Sequence, residues 1–411
     1  MAKTTVRRLR WEDPLIELLP LPGGTMTLRY GFGSGLAARA EGPPGHVWAI
    51  GDRGPNIKVK QAIALYGLNH LSSLAAIAGA KIMPRPDIGP TLAELRIEED
   101  AVVLVRFLRL SNKDGRAVSG LANPGSDSLL SEPVFDISGR PIPPDPDGLD
   151  TEGVVALSDQ GFWVGDEFGP SLVRVDAAGC VVRRIQPQTS ENPDGLPAIA
   201  AKRQLNRGFE ALTISDRERW LFLAFQSPLA HPDEAAHKQA RHVRIWRLDA
   251  TTGAVVAQYA YPLDDPTSFE RDCASGPFDR SDIKVSELLW IAPDMLLVLE
   301  RGSATTKIYR CVLDPQRVLA PEHLSLEFRP TLEEASGAGS PSFPALEKTL
   351  LFTSDAFPEL TADIEGLALL SATDLLLVSD NDFGVEGATT AFWRVRFSSP
   401  ISTGPNPRMS I

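Results

Sequence analysis

Residues 363–384 read DIEGLALLSATDLLLVSDNDFG. A short apolar stretch carrying Glu365-Gly366 meets a turn. The run Leu375, Leu376, Leu377 and Val378 follows and ends abruptly in the polar cluster Ser379 to Asp382. Apolar runs of this length bounded by turn residues are strands. The closing SDNDFG has two physical readings. Asp and Asn tolerate unusual backbone angles and bond their own backbone, which suits a turn. They are also the hard oxygen donors that calcium takes.

The pattern recurs. DTEGVVALSDQGFWVGDEFG occupies residues 150–169, RGFEALTISDRERWLFLAFQS 207–227, and KVSELLWIAPDMLLVLERG 284–302. A weaker copy, GSGLAARAEGPPGHVWAIGDRG at 33–54, has Ser34 where the others carry a glutamate. The aligned glutamates are Glu152, Glu210, Glu287 and Glu365, with spacings of 58, 77 and 78 residues. Such spacings are long for a bare four-stranded unit and imply insertions. More strand–turn–strand text follows each pair, as in SLVRVDAAGCVVRRI, so each unit supplies about four strands. That is a propeller blade.

The expected fold is therefore all-β, a single β-propeller over residues 31–398. Residues 1–30 form a lead-in belonging to it and 399–411 a tail. Five units are explicit. Residues 91–137 either complete the first blade or add another, and six blades are expected. Residues 59–80 and 230–243 read as helical insertions and 333–344 as a loop.

Composition narrows the function classes. With 43% hydrophobic and 23% charged residues in 411, the chain has ample material for a core. A net charge of −12 argues against a nucleic-acid footprint. Cys180, Cys273 and Cys311 are scattered, odd in number and without metal spacing, so neither disulfides nor zinc are expected. The six histidines form no HExxH motif. The N-terminal MAKTTVRRLRWEDPLIELLP lacks an apolar h-region, so a cytoplasmic setting is expected, or a periplasmic or secreted one if the chain is a processed form. No apolar run of membrane-spanning length occurs. The tryptophans fall mostly on strands and read as packing between blades. Oligomeric state is not legible.

The chemistry lies in two sets of side chains. If the glutamate register faces the propeller axis, Glu152, Glu210, Glu287 and Glu365 converge. Like charges about 4 Å apart repel by roughly 4 kcal/mol per pair at intermediate dielectric. Such a ring binds a cation, takes up protons or pairs with arginine. Calcium, which accepts six to eight oxygens, fits best, with Asp380 joining the ligand set; magnesium, with its more watery shell, is second. The structural alternative is that these glutamates bond backbone amides or pair with Arg207 and Arg301. The second set follows each second strand: Asp52 and Arg53, Asp166 and Glu167, Gln226 and Ser227, Glu300 and Arg301, and Asp380 to Asp382. It should gather at one rim, where propeller ligand sites sit on loops held by a rigid scaffold. Arg53, Arg207 and Arg301 suit anionic oxygens, and Asp166, Glu167 or Asp382 suits a general base. No G-x-S-x-G elbow or phosphate loop is present, and GFGSG at residues 31–35 matches neither.

Longer strings carry a family likeness: GLDTEGVVAL, FWVGDEFGPSLVRVDAAGCVVRRI, NRGFEALTIS, QSPLAHP, VSELLWIAPDMLLVLER, IEGLALL and SDNDFGVEG. Over residues 34–396 the chain resembles the phytase-like proteins described by an esterase-like activity of phytase. The resemblance implies a β-propeller and a hydrolase. The RHGxRxP motif of the histidine acid phosphatases is absent. Together with the carboxylate rings, this leads to the expectation of a calcium-dependent hydrolase of a small-molecule ester, a phosphate ester foremost. The alternatives are a non-enzymatic binding propeller with a structural calcium, or a lactonase-type hydrolase.

Overall fold

The computed structural model describes residues 4–39, 42–124, 132–337 and 343–403. From residue 404 the expected tail lies outside them. Five four-stranded antiparallel sheets carry the chain. Blade 1 is Gly35–Ala37, His46–Ile50, Thr91–Ile97 and Val102–Arg109; blade 2 is Thr151–Ala156, Phe162–Asp166, Ser171–Val175 and Val181–Ile185. Blade 3 is Phe209–Ile214, Trp220–Phe225, His242–Asp249 and Val255–Pro262; blade 4 is Lys284–Ala292, Met295–Arg301, Thr306–Val312 and Glu347–Thr353. Blade 5 is Ile364–Leu369, Asp374–Ser379 and Phe392–Arg396, completed by the N-terminal strand Thr5–Leu9. The first strand of each blade lies against that of the next, and blade 5 returns to blade 1, closing the ring.

The expected sixth blade is not found among the described residues. Residues 91–109 supply the two outer strands of blade 1. The ambiguity arose because an insertion of about forty residues, from 51 to 90, splits that blade after its second strand. Blade 5 also borrows its outer strand from the far end of the chain, so strand spacing along the sequence miscounts both.

The core lies between blades. Phe209, Phe225 and Trp246 meet edge-on with ring centroids 5.1–6.1 Å apart. The buried Trp246 indole donates to Gln258 Oε1 at 2.8 Å, which removes the cost of burying its N–H. Fully burying one such side chain contributes about 1.5–3 kcal/mol.

Two insertions dock outside the ring. The hairpin Leu15–Leu21/Gly24–Arg29, the helix Val59–Tyr66 and a small sheet of Ile57–Lys58, Lys81–Ile82 and Val134–Phe135 share one apolar cluster. Phe383 of the SDNDFG turn is buried in it. The second insertion packs the helix Glu234–Gln239 against Leu332–Gly337. This corrects the loop expected over 333–344, whose first residues are helical. Thr331 and Glu334 form a reciprocal capping box: the Glu334 amide donates to Thr331 Oγ1 at 3.1 Å, and the Thr331 amide donates to Glu334 Oε2 at 2.8 Å. The small residues after Glu334 masked that start signal. Among the described residues no helix is long and apolar enough to cross a membrane, and all three cysteines are free thiols.

Candidate metal centre

Each inner strand of blades 2–5 carries a bulge at its start. The pairing register shifts at Thr151/Val154, Phe209/Ala211, Val285/Glu287 and Ile364/Gly366. A bulge inserts one residue and re-aims its side chain. The extra residues are Glu152, Glu210, Ser286 and Glu365. Ser34, immediately before Gly35, holds the corresponding place in blade 1. The axial register is thus Ser34, Glu152, Glu210, Ser286 and Glu365.

Glu287, expected in this ring, is one residue out of register. It is fully buried, and its carboxylate reaches across the ring from blade 4 to accept the blade 1 Leu36 amide at 3.2 Å, together with the Leu288 amide at 3.1 Å. A period-2 strand turns a one-residue slip into a change of face. Glu287→Gln should therefore cost about 1–3 kcal/mol of stability by weakening buried amide bonds. Urea denaturation would show this.

The second strands resolve in the same way. The Glu167, Gln226 and Asp380 amides donate to the carbonyls of Asp150, Gly208 and Asp363, so these three residues are equivalent. Asp52 and Arg301 complete that tier. A third tier, just ahead of each bulge, holds Asp150, Gly208, Lys284 and Asp363.

The tiers enclose a cavity of about 190 Å³ lined only by polar and charged side chains. Glu152, Glu210 and Glu365 line it, with Asp52, Glu167, Asp380 and Asp382. One carboxylate oxygen each from Asp150, Glu152 and Glu167 lies within 4.8 Å of the others. Asp150 Oδ1, Glu167 Oε1, Glu210 Oε2, Asn206 Oδ1 and Gln226 Oε1 are buried and accept no hydrogen bond among the described residues. Burial, then the charges of Glu210 and Glu167, pushes Glu152 well above the usual carboxylate range. Glu167 and Asp380 are raised likewise, with burial the leading cause. Burial and the neighbouring Asp150 lift Asp52 to about 8. Burial lifts Glu365 to about 7, against the pull of Arg301.

Basic side chains pin this acid from outside. Arg53 pairs with Glu132 at 2.7 Å and Asp150 at 3.6 Å, stacks 4.8 Å over the Phe168 ring, and shares Glu132 with Lys81 at 3.1 Å. Arg301 donates to Ser286 Oγ at 2.9 Å and pairs with Asp363 at 3.3 Å and with Glu365.

Three expected catalytic groups do not reach the cavity unencumbered. Asp166 faces away: it is fully buried and accepts from the Asp150 amide at 3.0 Å, the Ser171 hydroxyl at 2.6 Å and Arg184 at 2.6 Å. Its neighbour Glu167 takes the inward position, as alternation along a strand requires. Arg207 donates to the Ser281 carbonyl and does not line the cavity. Arg301 is consumed by Asp363 and Glu365, which is the arginine pairing foreseen as the structural alternative.

The SDNDFG stretch makes a turn and lines the cavity. Asn381 makes the turn, accepting the Phe383 amide at 2.9 Å and donating to the Tyr30 carbonyl at 3.1 Å, while Asp380 and Asp382 face the cavity. GFGSG is a packing device, since a Cβ on Gly33 would sit 2.2 Å from the Asp380 Cα.

Sequence reasoning missed Asp150, Asn206, Lys284, Lys81 and Glu132. Asp150 and Asp363 were legible, because D-x-E-G recurs in two units. Lys81 and Glu132 arrive from the insertions and carry no repeat signal.

Fold and site together define a β-propeller with an acidic axial cavity able to hold a cation. The chain belongs to the phytase-like family described as "Esterase-like activity of phytase", which matches residues 29–383. An uncharacterized secreted protein of Arthroderma benhamiae is 28% identical over 321 residues, 66% of this chain and 59% of that protein, so the chain spans less than two thirds of its length. Among solved structures, the Cps50 (Swd1) β-propeller domain of Myceliophteria thermophila is 12% identical with a TM-score of 0.34, covering 93% of this chain and 99% of that one. Virginiamycin B lyase of Staphylococcus aureus is 10% identical with a TM-score of 0.32, covering 97% and 100%.

Proposed function

We propose that this protein is a divalent-cation-dependent hydrolase of a small polar ester, with calcium the best-fitting cation and a phosphate ester the favoured substrate. The observation that carries this reading is the convergence of unpartnered, buried carboxylate oxygens from Asp150, Glu167 and Glu210 on one polar cavity. Leaving such oxygens without a donor costs about 1–3 kcal/mol or more each, and a bound cation removes that cost. The donors are carboxylates and amide carbonyls, with no histidine or cysteine in the lining. That set suits calcium, or magnesium with more water, and not zinc.

Bound there, a divalent cation supplies Lewis acidity toward an ester oxygen and a water. The chain's own groups do the rest. Glu210, with Oε2 free, accepts a proton from water. Asp52, whose carboxyl is raised in the metal-free cavity by burial and by Asp150, is placed to donate a proton to the leaving oxygen. Arg53 keeps Asp150 in place. The lining has no apolar side chain, so an acyl chain or aromatic ring gains nothing by entering. Family membership supports ester hydrolysis, and the secreted description of the Arthroderma relative favours the periplasmic or secreted setting over the cytoplasmic one.

The test is the full chain, stripped with a chelator and assayed on phosphate monoesters, carboxylate esters and lactones with calcium withheld or restored. Calcium-dependent turnover on the phosphate esters is expected. Turnover confined to lactones would make it a lactonase. No turnover on any of them, alongside a calcium-dependent rise in Tm, would make it a binding propeller with a structural cation.

A further inference from the structure

Three basic side chains, Arg53, Lys81 and Lys284, line the cavity among its acids. On the blade 2 side, Asp150, Glu152, Glu167 and Glu132 gather around Arg53 and Lys81, with the buried Arg203 behind Glu167 and Asp150. On the blade 4 side, Glu210, Glu365 and Asp363 gather around Lys284 and Arg301. Arg301 is held there by Ser286, Asp363 and Glu365. Lys284 is not held: it lines the cavity, half-buried, and its ammonium makes no hydrogen bond or ion pair within 4 Å among the described residues. By contrast, Arg53 and Lys81 are both tied to Glu132.

An ammonium carries three donors, and those of Lys284 are open to a group that enters the cavity. Its place in the fold is also specific. Lys284 stands in the tier where blades 2 and 5 put Asp150 and Asp363, so blade 4 offers a cation where those blades place a carboxylate.

We infer that Lys284 and the cation held by Asp150, Glu152 and Glu167 together form a subsite for an oxyanion, a phosphate or a carboxylate. The inference rests on the cation reading above and deepens it by naming the charge of the group that enters. Asp380 and Asp382 close the remaining side and repel an oxyanion, which directs it toward Lys284. The volume of about 190 Å³ admits a compact headgroup.

Methylphosphonate, which is not hydrolysed, serves as the phosphate probe and acetate as the carboxylate probe, each titrated calorimetrically into the full chain with and without calcium. Methylphosphonate is expected to bind only with calcium present. Lys284→Met should weaken it tenfold or more while calcium affinity stays within about twofold, and Lys284→Arg should retain part of it. Acetate binding with the same two dependences would assign the subsite to carboxylates. Unchanged methylphosphonate affinity in folded Lys284→Met, or no binding of either probe to the calcium-loaded protein, overturns the inference. An absence of ester turnover with Lys284-dependent anion binding intact would defeat the hydrolase reading alone. Loss of calcium binding itself would defeat both.

Discussion

Glu167→Gln is expected to weaken calcium binding by about 100-fold or more and to change stability with opposite sign in the two states of the protein. First-sphere carboxylates outweigh outer-sphere partners, whose loss already costs 10–100-fold. The substitution keeps size and shape, and Glu167 Oε1 accepts no hydrogen bond among the described residues, so little packing is disturbed. In the calcium-loaded protein the loss lowers Tm. Saturation at about 100 times Kd contributes about 2.7 kcal/mol, and a 100-fold weaker site loses most of it. In the metal-free protein the sign reverses. Burial and the charges of Glu210 and Asp150 raise the Glu167 carboxyl well above its ordinary 4.5. A carboxyl raised by folding contributes stability that is full below its unfolded value and is lost as pH rises through its folded value. Metal-free wild type therefore weakens above about pH 4.5, and Glu167→Gln removes one cause of that decline. The gain above neutrality is on the order of 1 kcal/mol. Calorimetric melts of both proteins with calcium and with chelator, across this pH range, decide the matter. An equal loss of Tm in both states would show that Glu167 is a structural residue.

Arg244→Met is expected to cost about 3–5 kcal/mol, with no effect on calcium binding. Arg244 is buried beside Glu333, with two contacts of 2.8 Å, and also donates to Gln258 Oε1 at 2.9 Å and the His323 carbonyl at 2.7 Å. Removing it leaves Glu333 charged in the interior without a partner, which is the costly way to break such a pair. The double variant Arg244→Met/Glu333→Leu should recover part of the loss, since an apolar pair replaces an ionic one without an orphaned charge. Urea unfolding of the single and double variants reads this directly. A double variant no more stable than Arg244→Met would mean that the contacts to Gln258 and His323 carry the cost. This pair joins the helix Leu332–Gly337 to blade 3, so the second insertion should be released first when it is broken.

Much of the candidate site was written in the repeat. Glu152, Glu210, Glu365, Glu167, Asp380 and Asp382 were all named from strand ends and turn residues, and all line the cavity. The failures have one physical origin. Glu287 and Ser286 differ by one position, and only the bulge between Val285 and Glu287 shows which of them shares the register of Glu152, Glu210 and Glu365. Asp166 and Glu167 are likewise adjacent. Alternation along the strand sends one to Arg184 and the other to the cavity.

The local pattern of apolar runs and turns determined, by itself, a β-propeller with carboxylates in register. Those features depend on neighbours in sequence, where hydrophobic periodicity and turn chemistry act. The blade count, the face of each glutamate, and the meeting of Lys284, Lys81 and Glu132 with Asp150 were decided by the tertiary structure. They depend on register shifts, on a borrowed N-terminal strand and on insertions folding back, and these are set by packing between segments far apart in the chain.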